Sequence, residues 1–367
     1  MDLSVRYERQ MILPQIGSTG QALLARARVL CVGLGGLGSP AALYLAAAGV
    51  IHLGLLDDDE VSLSNLQRQI LYRTQDCGHK KAIQAREHLQ AMNNDLSLEV
   101  LPVRLSVHNV CDIFSRYDII VDCTDNFSSK FLINDAAVKL GLSVVYAAIS
   151  GFEGQISVFD AKNGPCFRCL HQTPPKSKIQ NCAQAGILGS VAGILGCMQA
   201  TEVIKLILRS HPPAQHLKPL IGELAVLDVT DLSMRHFKIN KNPHCCVCSI
   251  PKENIHLTEE TATCSTLIHE HKIQQINAQD VFLGDWQKKY QLIDVRELDE
   301  FNLAHIPGAI HWPLSLIEQG TVFPVNNSNK PIVLYCQAGK RSLRAASLVL
   351  EKTGVACLSL HGGISAI

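Results

Sequence analysis

The chain has 367 residues, length enough for two domains with separate cores. Its 33 Lys and Arg residues balance 33 Asp and Glu residues, so bulk charge points to neither nucleic acid nor a membrane surface. The charged start MDLSVRYERQ lacks the apolar core of a secretory signal, and apolar runs such as 29–32 and 119–121 are far too short for a bilayer.

Residues 4–28 read as a lead-in whose helix carries Arg6 and Arg9, either a solvated face or, beside a nucleotide fold, a functional one. Residues 29–32 are a short apolar run and predict a buried strand. Gly33, Gly35, Gly36 and Gly38 follow at once, and 39–48 is an Ala- and Leu-rich helical stretch. Strand, glycine turn and helix together make a phosphate cradle. The glycines let the backbone come close, and the helix N-terminus offers free N–H groups and a positive dipole end. A second apolar run, 52–56, ends in Asp57, an acid placed to hold a ribose hydroxyl. The alternative is a glycine turn used for packing alone.

Asp58, Asp59 and Glu60 continue the acidic run at the carboxyl end of that strand, where open α/β sheets bind ligands. In the following SLSNLQRQ, Asn65 and Arg68 are one helical turn apart and can face one ligand. Lys80 and Lys81 open a helix that runs to about Asn93. A third strand is expected at 98–103, a fourth at 118–121 and a fifth at 142–147. The fourth ends in Asp122-Cys123-Thr124-Asp125-Asn126, which sets more acids at a strand end. This alternation predicts an α/β fold with a doubly wound, mainly parallel Rossmann-like sheet.

Fourteen cysteines in a chain of this kind are expected to serve metal and thiol chemistry in a reducing compartment, which favours the cytoplasm. Cys166 and Cys169 form one C-x-x-C pair, and Cys245 and Cys248 a second. Two such pairs predict a structural four-thiolate Zn²⁺ site, with Cys246 leaving the register of the second pair open by one residue. A redox dithiol is the alternative, although neither pair clearly opens a helix after a strand. Zinc here would fix the base of the Pro-rich segment 172–181 and its neighbour Cys182.

Residues 186–208 are apolar and helical in pattern, and polar 241–254 closes the first domain. The expected division is 1–250, a Thr- and Glu-rich linker at 251–271, and a smaller α/β domain at 272–367. There 291–295 and 332–335 read as strands, with a turn at 305–310 between them. The last strand runs into Cys336-Gln-Ala-Gly-Lys-Arg341-Ser342 and then a helix. A cysteine between strand and helix N-terminus has its thiolate stabilised by the dipole and loop N–H groups, and Arg341 is expected to add charge. The spacing C-x₄-R is one residue tighter than the C-x₅-R of phosphatases with this layout. It suits a single terminal sulfur rather than a tetrahedral phosphate.

Arg9, Arg68 and Lys81 supply more cation than a dehydrogenase's pyrophosphate bridge requires. They suit ATP attacked at its α-phosphorus, with Asp125 placed to hold Mg²⁺. An NAD(P)-binding oxidoreductase with a regulatory sulfur domain, or a non-catalytic scaffold presenting a carrier, are the rival classes.

RYERQ, GLGGLGS, the acidic run, SNLQRQ, the Lys81 helix and DCTDN, in this order, resemble the ThiF/MoeB family, relatives of ubiquitin-activating enzymes. The resemblance covers about residues 5–250. It implies a homodimer that adenylates the C-terminal Gly-Gly of a small ubiquitin-like sulfur carrier, ThiS- or MoaD-like. It implies that Gly35, with Gly33 and Gly36 in the same turn, and Asp57 contact the nucleotide. Asn65, Arg68, Lys81, Asp125 and the adjoining Asn126 then handle phosphates and Mg²⁺. Arg9 resembles an arginine that reaches over from the partner subunit. Cys182, in NCAQAGILG, resembles a loop cysteine that bonds covalently with the carrier in some members or only positions it. Residues from about 272 resemble a rhodanese domain through LIDVRE, AHIPGAI, the Cys336 loop and LHGG. One departure is that such domains usually continue past Gly-Gly to a Trp and a short helix, where this sequence reads Ile364-Ser365-Ala366-Ile367. The combination implies adenylation followed by sulfur transfer from a Cys336 persulfide, loaded by a cysteine desulfurase, to give a carrier thiocarboxylate. The wording GLG and LQRQIL leans towards the thiamin branch over the molybdenum-cofactor branch.

Overall fold

A computed structural model describes residues 3–172, 186–258, 273–319 and 330–366. Cys182, most of the Pro-rich segment and most of the expected linker lie outside the described residues. The chain divides into two compact units, 1–262 and 263–367.

The first unit is built on eight strands: β1 Arg28–Val32, β2 His52–Leu56, β3 Ser97–Leu101, β4 Ile119–Asp122, β5 Ser143–Ser150, β6 Glu153–Phe159, β7 Glu223–Asp228 and β8 Ser233–Lys238. Their order is β3-β2-β1-β4-β5-β6-β7-β8. β1 to β5 pair in parallel, and β5 to β8 pair antiparallel. The doubly wound parallel half is the fold the sequence predicts, while β6 to β8 extend it beyond that expectation. Side chains of β8 are mostly exposed, so it lacks the apolar run that betrays a buried strand.

Successive residues of a strand point to opposite faces, and here both faces are covered. Val29 and Cys31 join one core with Leu53, Leu55, Ala41 and Leu45, whereas Leu30 and Val32 join another with Ile120, Phe131 and Val144. The chain winds from β1 to β2 and β3 on one side and resumes at β4 on the other. A crevice opens where strand order reverses, between the carboxyl ends of β1 and β4.

Helix Gly189–Leu208 packs on β5, β6 and helix Gly38–Ala47. A Cβ at Gly196 would overlap the Leu37 carbonyl, so glycine permits the close crossing. The helix is long and apolar enough to cross a membrane, with mean hydropathy 1.6, contrary to the impression left by the short apolar runs. Its burial against the sheet identifies it as a core helix.

The second unit has β9 Gln275–Ile276, β10 Gln291–Asp294, β11 Ile310–His311, β12 Ile332–Tyr335 and β13 Leu358–Leu360, all parallel, in the order β11-β10-β12-β13-β9. Helix Lys340–Thr353 packs on β12 and β13 and brings its Ala345 and Val349 into one core with Ile293 and Leu334.

Candidate active sites

The glycine turn lies at the carboxyl end of β1, in the crevice. Gly33 has φ +88° and an added Cβ would stand 3.0 Å from the Cys123 carbonyl oxygen, so only glycine fits. A Cβ at Gly38 would overlap the Gly33 carbonyl. Gly35 and Gly36 face Gln69 and Arg68, whose Nε2 and Cγ would each be 3.4 Å from an added Cβ. Gln69 is buried and its Oε1 has no hydrogen-bond partner among the described residues. An orphaned buried acceptor beside a glycine turn fits a bound ligand that supplies the missing donor.

Asp57 is buried, and its carboxylate accepts from Leu34 N at 2.7 Å and Asp59 N at 2.9 Å. Burial raises its pKa, and the nearby Lys81 charge works against that rise. Lys81 is itself buried, and its Nζ donates to Asp59 Oδ2 at 2.9 Å. The structure thus brings Gly33, Gly35, Gly36, Asp57, Arg68 and Lys81 to one end of the sheet. Arg68 donates to Ser64 O at 3.2 Å, and Asn65 Oδ1 accepts from Ser62 N at 3.2 Å, shaping the turn that carries both. Asp125 is exposed just past β4. Asn126 has a structural task as well, since its Oδ1 accepts from Ser129 N at 2.8 Å and caps helix Phe127–Leu140. Arg9 lies exposed on helix Leu3–Met11, and no hydrogen bond or ion pair among the described residues joins it to the turn.

Two residues that sequence reasoning gave no role, Lys130 and Gln199, hold Asp122 at the end of β4. Lys130 Nζ donates to Asp122 Oδ2 at 3.2 Å and Ala147 O at 3.0 Å, and Gln199 Nε2 donates to Asp122 O at 2.8 Å. The available signal for Gln199 is a lone amide inside an apolar helix.

Cys166, Cys169, Cys245 and Cys248 converge, their sulfurs all within 4.8 Å of one another, and Cys246 is outside the set. Neighbouring sulfurs are 3.4–3.9 Å apart. A tetrahedral zinc with bonds of about 2.3 Å needs edges of about 3.8 Å, so the quartet fits. Hydrogen bonding from Cys166 first, then the other thiols, holds Cys245 well below the usual thiol range. Cys166 stands at the N-cap of helix Phe167–Leu170, which is one turn long and begins well after β6 ends at Phe159.

Cys336 follows β12 directly and is buried. Gly339, at φ +87°, turns the loop into helix Lys340–Thr353. The loop is braced from outside: Ile364 N donates to Cys336 O at 2.8 Å, and Ser365 Oγ to Gln337 O at 2.8 Å. Cys336 Sγ donates to Ser342 Oγ at 3.8 Å. Arg341 departs from the sequence expectation. Its guanidinium lies near enough to interact with Cys336, but its two terminal nitrogens are committed to Glu300, at 2.6 and 2.7 Å.

The ThiF family model matches residues 7–247, and the rhodanese-like domain model matches 281–367. The chain belongs to the ThiF family. A "Sulfur carrier protein adenylyltransferase" of Thermus thermophilus is 43% identical over 71% of this chain and 96% of its own length. A "Probable adenylyltransferase/sulfurtransferase MoeZ" of Mycobacterium tuberculosis is 38% identical over 98% of this chain and 92% of its own. In fold, the chain is similar to Escherichia coli MccB crystallised with ATP, with a TM-score of 0.58 and 21% identity over 67% of this chain and 75% of that one.

In this ThiF-family chain the two sites offer different chemistry. The crevice sets the Arg68 and Lys81 cations and the Asp57, Asp58 and Asp59 carboxylates around the glycine turn. The Cys336 loop sets one buried thiol ahead of a helix N-terminus, with Arg341 and Arg296 each paired to a carboxylate.

Proposed function

We propose that the chain adenylates the C-terminal Gly-Gly of a ubiquitin-like sulfur carrier with ATP and then transfers sulfur from a Cys336 persulfide to the activated carboxyl. The observation that carries this reading is the pairing, in one chain, of a glycine turn ringed by Arg68, Lys81 and Asp57 with a cysteine seated between strand and helix. The names of the full-length relatives join the same two activities.

A carboxylate is a poor electrophile. Its attack on the α-phosphorus expels pyrophosphate and leaves an acyl-adenylate, from which AMP departs readily. Arg68 and Lys81 are placed to balance charge as the α-phosphorus becomes crowded with oxygen, and Asp57 to hold the ribose. Asp125 and the clustered carboxylates of Asp57, Asp58 and Asp59 are oxygen donors of the kind Mg²⁺ prefers. Mg²⁺ there would offset the triphosphate's charge. The Cys336 persulfide then attacks the acyl carbon and AMP leaves. A second thiol then attacks the Cys336 sulfur, and the S–S bond of the acyl-disulfide breaks to release the thiocarboxylate. A thiol reductant clears the disulfide left between the two cysteines. Cys182 is the candidate either to bond covalently with the carrier or only to position it. Zn²⁺ in the four-cysteine site would tie distant parts of the first unit together.

Val5, Glu8, Met11 and Ile12 line an open hollow at the Arg9 helix, and the exposed side chains of Val5 and Ile12 there support a homodimer with Arg9 acting across it. A cysteine desulfurase is the expected persulfide source and the cytoplasm the expected setting. ATP–pyrophosphate exchange against a panel of purified Gly-Gly-ending carriers tests the reading. Exchange should appear with at least one carrier and vanish when its last glycine is removed. Nicotinamide-dependent turnover in place of exchange would return the dehydrogenase reading.

A further inference from the structure

The Cys336 loop carries a feature that sulfur transfer alone does not require. Glu300 sits in the first turn of helix Leu298–Leu303, beyond β10, and meets Arg341 with both oxygens against both terminal nitrogens. This is the fork-on-fork geometry with which arginine grips sulfonates, sulfates and phosphates. Arg341 holds the Glu300 carboxyl below its usual range, so the pair is charged at neutral pH. The other arginine at the loop is answered too. Arg296 lies against Asp294 at 2.7 Å and reaches Gln337 Oε1 at 3.3 Å. Glu297, bonded by Ser315 Oγ at 2.8 Å, adds a further carboxylate within range of Arg341.

We propose that Glu300 sets the sulfur-donor specificity of the Cys336 loop by occupying the Arg341 fork. Small polyanionic donors such as thiosulfate are thereby disfavoured and persulfides are taken instead. The inference rests on the sulfur-transfer reading and deepens it. In the favoured reaction the Cys336 thiolate attacks the terminal sulfur of R–S–SH. The S–S bond breaks, its electron pair leaves with RS⁻, and Cys336 keeps the sulfur as Cys336–S–SH. Thiosulfate would have to bring two negative charges to the same thiolate and expel sulfite. It could do so only with a cation free to receive its oxygens. Glu300 is a positioning residue here, acting on the donor through Arg341.

The test uses the full-length chain and its Glu300→Gln variant. Sulfur uptake is measured as kcat/KM with thiosulfate and with cysteine persulfide. The thiosulfate-to-persulfide ratio is expected to rise about tenfold in Glu300→Gln, equivalent to about 1.4 kcal/mol. That gain should shrink as ionic strength is raised. In an Arg341→Ala background the same substitution should change the ratio by less than about twofold, because the pair it acts through is gone. Glu300→Asp, which keeps the charge but falls short of the fork, should shift the ratio in the same direction by less. An unchanged or falling ratio in Glu300→Gln overturns the proposal, and so does an equal gain with Arg341 removed. If no donor adds one sulfur to Cys336 by intact mass, in wild type or variant, the sulfur-transfer reading falls and this inference with it.

Discussion

The glycine turn after β1 and the Cys336 loop after β12 are the same device used twice: a buried parallel strand, a loop containing a positive-φ glycine, and a helix aimed back along the sheet. They differ in where charge is kept. Around the glycine turn, Lys81 and Arg68 come from other elements, and only the backbone of the turn itself is offered to a ligand. In the Cys336 loop the reactive atom belongs to the loop, and both arginines beside it are held, Arg341 by Glu300 and Arg296 by Asp294. A helix N-terminus attracts anions whatever loop leads into it. What separates the two is how the nearest arginine is held: Arg68 meets a neutral carbonyl, Ser64 O, whereas Arg341 is paired with a carboxylate.

The sharpest way to break this comparison is Cys336→Ala. It should abolish persulfide formation and carrier thiocarboxylate while ATP–pyrophosphate exchange continues, with the adenylate lost to hydrolysis. Thiocarboxylate at wild-type yield, with a persulfide as sole donor, would show that sulfur bypasses the loop. Zinc separates the units next, since only the first contains a thiolate quartet. Elemental analysis should find one Zn²⁺ per chain, and Cys166→Ser should lose it. Even about 3 kcal/mol, a small part of the folding energy of a structural zinc, would lower the first unit's unfolding temperature by roughly 6–12 °C. Unchanged melting with no zinc in freshly purified reduced protein would remove the site. Third, Arg68→Ala, Lys81→Ala and Asp125→Ala should each cost about 10²-fold or more in exchange and leave Cys336 persulfide formation alone. Any of the three with normal exchange leaves the list.

Much of the fold was legible because its parallel strands are short apolar runs between glycine or acid punctuation, as at His52–Leu56 and Ile332–Tyr335. β7 and β8 were not, because their pairing rather than their composition makes them strands, and β8 turns most of its side chains to solvent. The candidate site divides the same way. Local features such as the glycines, Asp57 and the C-x-x-C pairs declare themselves by spacing. Contacts between remote residues do not: Glu300 meets Arg341 across 41 positions, and Gln199 reaches Asp122 across 77. Those partners change what a residue does. Arg341 looked like a bare charge for the thiolate and is instead a clamped one.

The finest test concerns how the Cys336 loop is held, because the two loops also differ in bracing. The glycine turn is locked by its own sheet, through Gly33 against Cys123 and Gly38 against Gly33. The Cys336 loop depends on the segment after β13, where Ser365 Oγ donates to Gln337 O at 2.8 Å and accepts from Gln337 Nε2 at 3.0 Å. Ser365→Ala removes these two bonds and keeps the backbone bonds from Ile364 N and Ser365 N. Ser365 is exposed, so water replaces part of what is lost and the net cost should be about 0.5–1 kcal/mol. Persulfide formation should therefore slow by about two- to fivefold, with exchange and zinc content unchanged. Gly363→Ala should do more, because its Cβ would overlap the Cys336 and Gln337 carbonyls at a φ of +63°. If both variants transfer sulfur at the wild-type rate, the loop holds its shape without this brace. The contrast between a turn locked by its sheet and a loop braced from outside would then fail.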